Sequence, residues 1–194
     1  MAAPAKSTDF DHVYRSAIMH WVWTDIRIPP EVKELARQGS PRSVLELGCG
    51  VGRFSRYVAQ QGVRVTGVDF SPVAIAKAKE RVAHDDARPE FLVSDVTHLD
   101  ALNSPFDVSF DVGCFHCLDP QRQRAYVSEV SRLLKPGGTH LIWALDSSPR
   151  DVPLSPAAVK EVFAPCFELQ NARKSRRRLA RSHWYWLVRS ASEK

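Results

Sequence analysis

A glycine-rich turn between a short apolar strand and a helix constrains this chain more than any other feature. The run SVLEL carries Glu46 near its end, and the turn that follows it holds Gly48, Gly50 and Gly52. Glycines let the chain turn tightly and let a ligand approach the bare backbone. The pattern predicts a strand, a ligand-binding turn and a helix, although such a cluster can also be a turn that binds nothing.

A carboxylate follows this turn at the distance of one helix and one strand. Asp69 comes 17 residues after Gly52, at the predicted end of the run VRVTGVD. A carboxylate there can accept two hydrogen bonds from a ribose diol. Dinucleotide-binding turns usually read Gly-x-Gly-x-x-Gly, but Arg53 stands at the third glycine position and Gly52 comes one residue early. The shorter spacing suits a cofactor without a pyrophosphate, and it points to S-adenosylmethionine.

Apolar or β-branched runs alternate with helical patterns along the middle of the chain. The runs are SVLEL, VRVTGVD, FLVSD, FDVSFDV and THLIWAL. Helices are predicted from Val51 to Gln60, from Ser71 to His84 with a serine N-cap and a proline in the first position, and from Arg122 to Leu134. This alternation predicts a parallel sheet that is covered on both faces.

The remaining segments have simpler patterns. Apolar residues from Phe10 to Trp21 recur at helical spacing, and Pro29-Pro30 breaks this pattern. The third core helix should stop at residues 135–138, KPGG, because proline cannot continue it and the glycines permit a sharp turn. The tail, AVKEVFAPCFELQ followed by a basic run and HWYWLVR, is interpreted as two antiparallel strands joined by a loop.

The composition excludes several classes of protein. No apolar run approaches the roughly 20 residues that cross a bilayer, and the first residues lack the apolar stretch of an export signal. Four cysteines among 194 residues are too few for a disulfide framework and should stay reduced. We therefore expect one domain that does not insert into a membrane and resides in the cytoplasm.

Several segments together resemble the class I S-adenosylmethionine-dependent methyltransferases. They are VLELGCGVGRF, VTGVDFSPVAIAKAKE, FLVSDVTHL, FDVSFDVGCFHCL and LLKPGG, in the order of that family. The resemblance implies an α/β fold: a Rossmann-like, doubly wound, mostly parallel seven-stranded sheet with an antiparallel C-terminal strand and helices on both faces. FDHVYRS, WTDIRIPPEV, DVGCFHCLDPQRQRAYV and HWYWLVR are more narrowly similar to the bacterial thiopurine S-methyltransferase-like group, which methylates small thiols, phenols or N-heterocycles.

The resemblance implies positions for the cofactor S-adenosyl-L-methionine and its product S-adenosyl-L-homocysteine. Gly48, Cys49 and Gly50 would contact the methionine part. Asp69 would hold the ribose hydroxyls, and Phe70 would lie against the adenine face, which suits an aromatic ring.

The same resemblance extends to two later strands. Asp95 and the backbone of Val96 would hydrogen-bond the adenine edge, and the segment beginning at Asp111 would line the methionine end. Asp111 can alternatively cap a loop. Glu46 would orient the glycine turn and attract the ammonium group of the cofactor, with a helix-dipole or salt-bridge role as the alternative.

His116 is the candidate catalytic residue. It follows the fourth strand at the carboxyl edge of the sheet, where it can take a proton from the substrate, although a packing role is about equally plausible. Cys114 and Cys117 form a C-x-x-C that can suggest zinc or redox chemistry. Because a structural zinc site needs a second pair of ligands, the expected role is pocket lining and no metal is predicted.

The N-terminal segment is expected to cover the pocket, as it does in the related enzymes. Residues 1–40 would form a helix and lid packed on a core of residues 41–194, in a single structural domain overall. Trp23 and Arg27 would lie at the substrate pocket, and Trp23→Ala should raise the KM for the substrate. The alternative is that the tryptophans of this segment simply cap the core.

The positive charge of the chain is confined to one segment, and it leaves alternative functions open. The net charge is +5, but residues 173–181, RKSRRRLAR, hold six of the 27 basic residues, and without them the net charge is −1. A basic loop can contact phosphates, which makes an RNA methyltransferase the leading alternative to a small-molecule enzyme. Such a loop is more often only solvated, and an anionic small substrate can also use it. A non-catalytic cofactor-binding partner domain is the third possibility.

Overall fold

The computed structural model describes residues 27–37, 41–103, 105–146, 152–175 and 181–191. The chain divides into two compact units, with the boundary between Asp95 and Val96. The predicted N-terminal helix and Trp23 lie outside the described residues, so the expected division at residue 40 stays a prediction. Among the described residues, no helix combines the length and the apolar composition that a membrane crossing needs.

The unit that ends at Asp95 is an alternation of helices and parallel strands. Its elements are α1 (Pro30–Arg37), β1 (Ser43–Leu47), α2 (Arg53–Ala59), β2 (Arg64–Asp69), α3 (Pro72–Arg81) and β3 (Glu90–Val93). β1 pairs with β2 and β2 with β3, both in parallel. β1 is buried along its whole length, as expected for a strand covered on both faces.

Local sequence explains where these helices begin. The hydroxyl oxygen of Ser71 accepts a hydrogen bond from the backbone N–H of Ala74 at 3.1 Å, and Pro72 is the first residue of α3, as predicted. α1 begins at Pro30, where the proline pair was expected only to break a pattern, because proline is also well tolerated in the first turn of a helix.

The unit that begins at Val96 contains the rest of the strands. Its elements are β4 (Phe106–Val112), a 3₁₀ turn (Phe115–Cys117), α4 (Pro120–Leu133), β5 (Leu134–Leu145), α5 (Pro156–Phe163), β6 (Phe167–Lys174) and β7 (Ser182–Arg189). β4 and β5 are parallel, whereas β7 is antiparallel to both β5 and β6. The seven strands follow the order β3-β2-β1-β4-β5-β7-β6. This order confirms the expected Rossmann-like, mostly parallel sheet with its antiparallel C-terminal strand.

Two interpretations of the second half of the chain were wrong in detail. The start of the tail is a helix and not a strand, because Ser155 accepts from the N–H of Ala158 and Pro156 occupies the first helical position. The KPGG segment does end α4, but it lies inside β5 as an irregularity of the strand rather than as a separate turn. The register between β4 and β5 shifts between Phe106 and Val108 of β4, and this shift accommodates the KPGG segment.

Candidate functional site

The glycine turn after β1 has the backbone that the sequence requires. Gly48, Gly50 and Gly52 have φ angles of 67°, 53° and 70°, in the left-handed region that favours glycine. The N–H of Cys49 donates to the carbonyl of Val68 at 2.9 Å, and this bond ties the turn to β2. The turn is therefore a defined loop held at the carboxyl ends of two adjacent parallel strands.

Asp69 holds this turn together with the start of α3. Its carboxylate accepts one hydrogen bond from the N–H of Gly50 at 2.8 Å and another from the N–H of Ser71 at 2.9 Å. The residue is only 3% exposed. A carboxylate has about four lone-pair positions, so holding two amides does not by itself exclude accepting ribose hydroxyls. The sequence predicted the acid at the end of β2 but not its bond to the glycine turn.

Glu46 is buried, and it is tied to the helix that follows the turn. The hydroxyl of Ser55 in α2 donates a short hydrogen bond to its carboxylate. Burial raises the pKa of the neighbouring Cys49 thiol well above its usual value, and the charges of Glu46 and Asp69 raise it further. Cys49 is therefore a neutral packing group, and its side chain is no nucleophile.

The predicted adenine-binding residues differ in their exposure. Phe70 and Asp95 are half-buried, as is required of side chains that present a surface to a ligand. Val96 is buried. The exposures of these three residues are compatible with the expected roles, which remain predictions.

Asp111 caps the turn that follows β4. Its carboxylate accepts from the backbone N–H groups of Cys114 and Phe115, both at 2.6 Å, and from the hydroxyl of Tyr126 in α4 at 3.0 Å. The residue is fully buried, and burial raises its pKa to about 6 in spite of these bonds. The capping alternative is thus the arrangement that the structure has, and Asp111 fixes the path of the backbone that leads to His116.

A buried chain of hydrogen bonds continues from Asp111 to β5. The Tyr126 hydroxyl lies 3.1 Å from Nε2 of His140, whose Nδ1 lies 2.7 Å from the hydroxyl of Ser109. Burial lowers the pKa of His140 to about 3, so its ring is neutral. With the proton on Nε2, Ser109 donates to the ring, the ring donates to Tyr126, and Tyr126 donates to Asp111. Every member of this chain then has a donor matched to an acceptor.

His116 lies in the 3₁₀ turn and is 4% exposed. Its ring meets the ring of Trp143 edge-on, with centroids 5.8 Å apart. Gly113 precedes the turn with a φ of 102°, and a β-carbon there would lie 3.4 Å from the His116 ring. The imidazole is thus held in one position at the carboxyl end of β4, and its role in catalysis stays a prediction.

The cysteines and the basic segment provide less support for a functional site than the residues above. All four cysteines are free thiols, and the Cys117 thiol donates to the carbonyl of Gly113 at 3.6 Å. In the part of the chain that the structure describes, no three His, Cys, Asp or Glu side chains are grouped as metal ligands would be. Of the basic segment, Arg173 stacks over the Trp186 ring at 4.6 Å, while residues 176–180 lie outside the described ranges. Arg27, expected at the substrate pocket, is exposed.

The raised pKa of Asp111 predicts an unusual dependence of stability on pH. Because the folded pKa of about 6 lies above the ordinary value of 3.8, the folded protein keeps a proton that the unfolded chain releases. The free energy of unfolding should therefore be fully retained below about pH 4 and should decline as the pH rises through 6. Relative to Asp111→Asn, which does not titrate, we expect the wild type to lose on the order of 3 kcal/mol across this window. Urea unfolding at both ends of the window measures the difference, and an equal difference at the two pH values would contradict it.

Comparisons with known proteins agree with this fold and this turn. Residues 44–138 match the family model described as a methyltransferase domain. A 2-heptyl-1-hydroxyquinolin-4(1H)-one methyltransferase from Mycobacteroides abscessus is 26% identical over 73% of this chain and 66% of its own. A tRNA N(3)-methylcytidine methyltransferase from Drosophila melanogaster is 32% identical over 61% of this chain and 39% of its own. The chain thus spans less than two thirds of the length of these curated relatives.

One solved structure illustrates the similarity of fold. It is the 1,6-didemethyltoxoflavin-N1-methyltransferase of Burkholderia thailandensis, with 1,6-didemethyltoxoflavin and S-adenosylhomocysteine bound. The two structures agree with a TM-score of 0.78 over 95% of this chain and 87% of the other, at 24% sequence identity.

Proposed function

We propose that this chain, of which residues 44–138 match a methyltransferase domain, transfers a methyl group from S-adenosylmethionine to a nucleophilic sulfur, nitrogen or oxygen atom of a small molecule. The observation that carries the proposal is the bond between the Asp69 carboxylate and the N–H of Gly50. This hydrogen bond joins the two parts of the site that the cofactor needs. They are a glycine turn whose backbone receives the amino acid and a carboxylate that binds the sugar.

The residues of the turn fit the sulfonium cofactor better than a dinucleotide. The backbone of Gly48, Cys49 and Gly50 faces the methionine part in this proposal, Asp69 accepts the ribose hydroxyls, and Phe70 packs on the adenine ring. A neutral, buried Cys49 side chain suits this arrangement because it places no competing charge beside the sulfonium.

The other cofactor residues act at the adenine edge and around the turn. Asp95 and the Val96 backbone hydrogen-bond the adenine edge. Glu46 reaches the cofactor only indirectly, because it anchors α2 through Ser55. Asp111 acts through the backbone of the loop that it caps, which lines the methionine end.

The cofactor supplies an electrophilic methyl group, so the protein has to align a nucleophile behind it and exclude water. His116 is the candidate that the sequence offers for accepting a proton from the acceptor, because it follows a strand at the carboxyl edge of the sheet, where ligands of open α/β sheets bind. Trp23 and Arg27 close over the acceptor in this proposal. A thiol acceptor would need a base least, because a thiol near pKa 8.5 is already partly ionised at neutral pH.

A small molecule is the favoured class of acceptor. Two of the similar proteins have small heterocyclic compounds in their names, the quinolone enzyme and the toxoflavin enzyme. The finer resemblance to the thiopurine S-methyltransferase-like group points the same way, although about a quarter of the residues that carry it precede residue 27. Most of the charge at residues 173–181 would then serve solubility or an anionic group on the acceptor.

RNA is the second candidate acceptor, favoured by the tRNA-modifying relative and by the basic segment. In the described part of that segment, however, the Arg173 guanidinium lies over the Trp186 ring and so has a partner within the protein. Binding through phosphates would weaken steeply with salt because counterions are released.

One labelling experiment separates these functions. The protein is incubated with methyl-labelled S-adenosylmethionine and, in parallel, with thiols, phenols, N-heterocycles and total RNA. We expect label in at least one small-molecule class and none in RNA. Label in RNA alone, lost between 50 and 200 mM salt, would reject the small-molecule proposal. Cofactor binding without any labelled product would favour a non-catalytic partner domain.

A further inference from the structure

A histidine and an aspartate meet where β5 ends and β7 begins. In the antiparallel register of these strands, His183 lies opposite Ala144, and Asp146 is the first residue after β5. Nδ1 of His183 and Oδ1 of Asp146 are 2.6 Å apart. Because β4 and β5 run in the same direction, this pair lies at the same sheet edge as the carboxyl end of β4. The sequence pattern predicts this histidine only as the first residue of the strand run HWYWLVR.

Backbone bonds fix both partners of this pair. The N–H of Asp146 donates to the carbonyl of Arg181 at 3.0 Å. Arg181 directly precedes β7, and His183 is the second residue of that strand. The carbonyl of Asp146 accepts from the N–H of Leu154 at 2.8 Å, which closes the loop between β5 and α5. These bonds fix the backbone that carries the carboxylate at the start of β7.

The carboxylate is the more exposed member of this pair, and the imidazole is largely buried. The His183 side chain is 11% exposed and the Asp146 side chain 28% exposed. The Tyr185 ring lies beside the imidazole, with centroids 5.8 Å apart, and is itself held by the bond from its hydroxyl to the carbonyl of Leu154 at 2.5 Å. Lys174 of β6 lies opposite His183 on the other side of β7.

A carboxylate on Nδ1 determines what the other ring nitrogen can do. When Asp146 accepts the Nδ1 proton, the neutral imidazole carries its lone pair on Nε2, which is the arrangement of a general base orientated by an acid. The same carboxylate stabilises the imidazolium that forms when Nε2 takes a proton. His116 has a different setting, since it is 4% exposed and meets an indole ring.

We propose that His183, orientated by Asp146, and not His116, is the general base of this methyltransferase for acceptors that keep their proton at neutral pH. The inference rests on the proposed small-molecule function. In the reaction the lone pair of the acceptor oxygen or nitrogen forms the bond to the methyl carbon. The bond from that carbon to the sulfonium breaks with its electron pair left on sulfur, and the proton of the acceptor passes to Nε2.

The dyad therefore favours phenols and N–H heterocycles as acceptors. A phenol near pKa 10 gains much more from a positioned base than an acceptor that is already an anion. The contribution of such a base is about 100-fold or more in rate. The position of the pair next to the described part of the basic segment also suits an acceptor with an anionic substituent, because Lys174 lies on the neighbouring strand.

The first test needs no acceptor. Long-range ¹H–¹⁵N spectra of the full chain with S-adenosylhomocysteine identify which nitrogen of His183 carries the proton, with His183→Gln used for assignment. We expect the Nδ1–H tautomer in the wild type and its loss in Asp146→Asn. A wild-type ring protonated on Nε2 and bare on Nδ1 would overturn the proposal.

The second test compares two acceptors, 4-methylphenol and 4-nitrothiophenol, the second of which is already a thiolate at pH 8. His183→Gln should lower kcat with the phenol by about 100-fold and with the thiolate by less than about threefold. The exposed His84, changed to Gln, is the matched control and should leave both rates unchanged. Equal losses with the two acceptors, or no loss with the phenol, would overturn the dyad as a base. If the wild type methylates neither acceptor, the proposed function fails for these compounds while the tautomer measurement still decides on the dyad.

Discussion

Asp69→Ala should raise the dissociation constant for S-adenosylhomocysteine by at least about 100-fold, which corresponds to about 2.7 kcal/mol. Two effects add. The variant loses the charged acceptor for the ribose hydroxyls, and hydrogen bonds to charged groups contribute about 1.5–3 kcal/mol each. It also releases the N–H of Gly50 from its bond at 2.8 Å, so the turn that receives the methionine part loses its link to β2. Isothermal titration calorimetry with S-adenosylhomocysteine measures the result.

Asp69→Asn separates binding from folding in this experiment. In the alanine variant the amides of Gly50 and Ser71 lose their partner inside a buried region, at a cost of about 1–3 kcal/mol each, so part of the chain can unfold. The amide oxygen of asparagine still accepts one of these bonds but carries no charge. We expect a folded variant with affinity weakened at least about tenfold. Asp85→Ala, which breaks only the ion pair with Arg56 in the same unit, is the control. An Asp69→Asn variant that binds as tightly as the control would contradict the proposed role.

The elements that the sequence predicted best are those whose signal is local. The start of α3 follows from Ser71 and Pro72 because a cap and a first-turn proline act within four residues. The buried strands follow from short runs of apolar and β-branched residues, and each of the five runs predicted in the middle of the chain overlaps a strand in the structure. Ser155 and Pro156 carry the same local signal before α5, where the apolar pattern of the tail predicted a strand instead.

The contacts that could not be predicted from the sequence join residues that are far apart in the chain. Asp69 and Gly50 are 19 residues apart, and His183 and Asp146 are 37 apart. Such pairs depend on strand order and register, which periodicity alone does not give. The family resemblance indicated which strand ends carry the acids, and it therefore predicted Asp69 as a site residue. It did not predict His183, because the partner of this histidine is set by the antiparallel register of β7 against β5.

Gly52→Ala should destabilise the protein by about 4 kcal/mol, the largest effect that we expect of a single methyl group. Gly52 has a φ of 70°, which costs an L-residue about 1–2 kcal/mol. A β-carbon there would also lie 2.4 Å from Cζ and 2.7 Å from Cε1 of Phe91, a ring that is 2% exposed. Because the ring packs among Cys49, Ile75 and other buried residues, it cannot move aside freely, and overpacking of this kind costs about 1–3 kcal/mol.

Gly62→Ala isolates the backbone part of this cost. Gly62 has a φ of 83° in the same unit, but no atom lies within 4 Å of a β-carbon added there. We expect it to lose only about 1 kcal/mol in urea unfolding, so the excess at Gly52 measures the contact with Phe91. The double variant Gly52→Ala, Phe91→Leu should lose less than the sum of its single variants, because the smaller side chain relieves the contact. Additive losses, or equal losses at the two glycines, would show that the close approach of the turn to β3 is not what requires glycine at position 52.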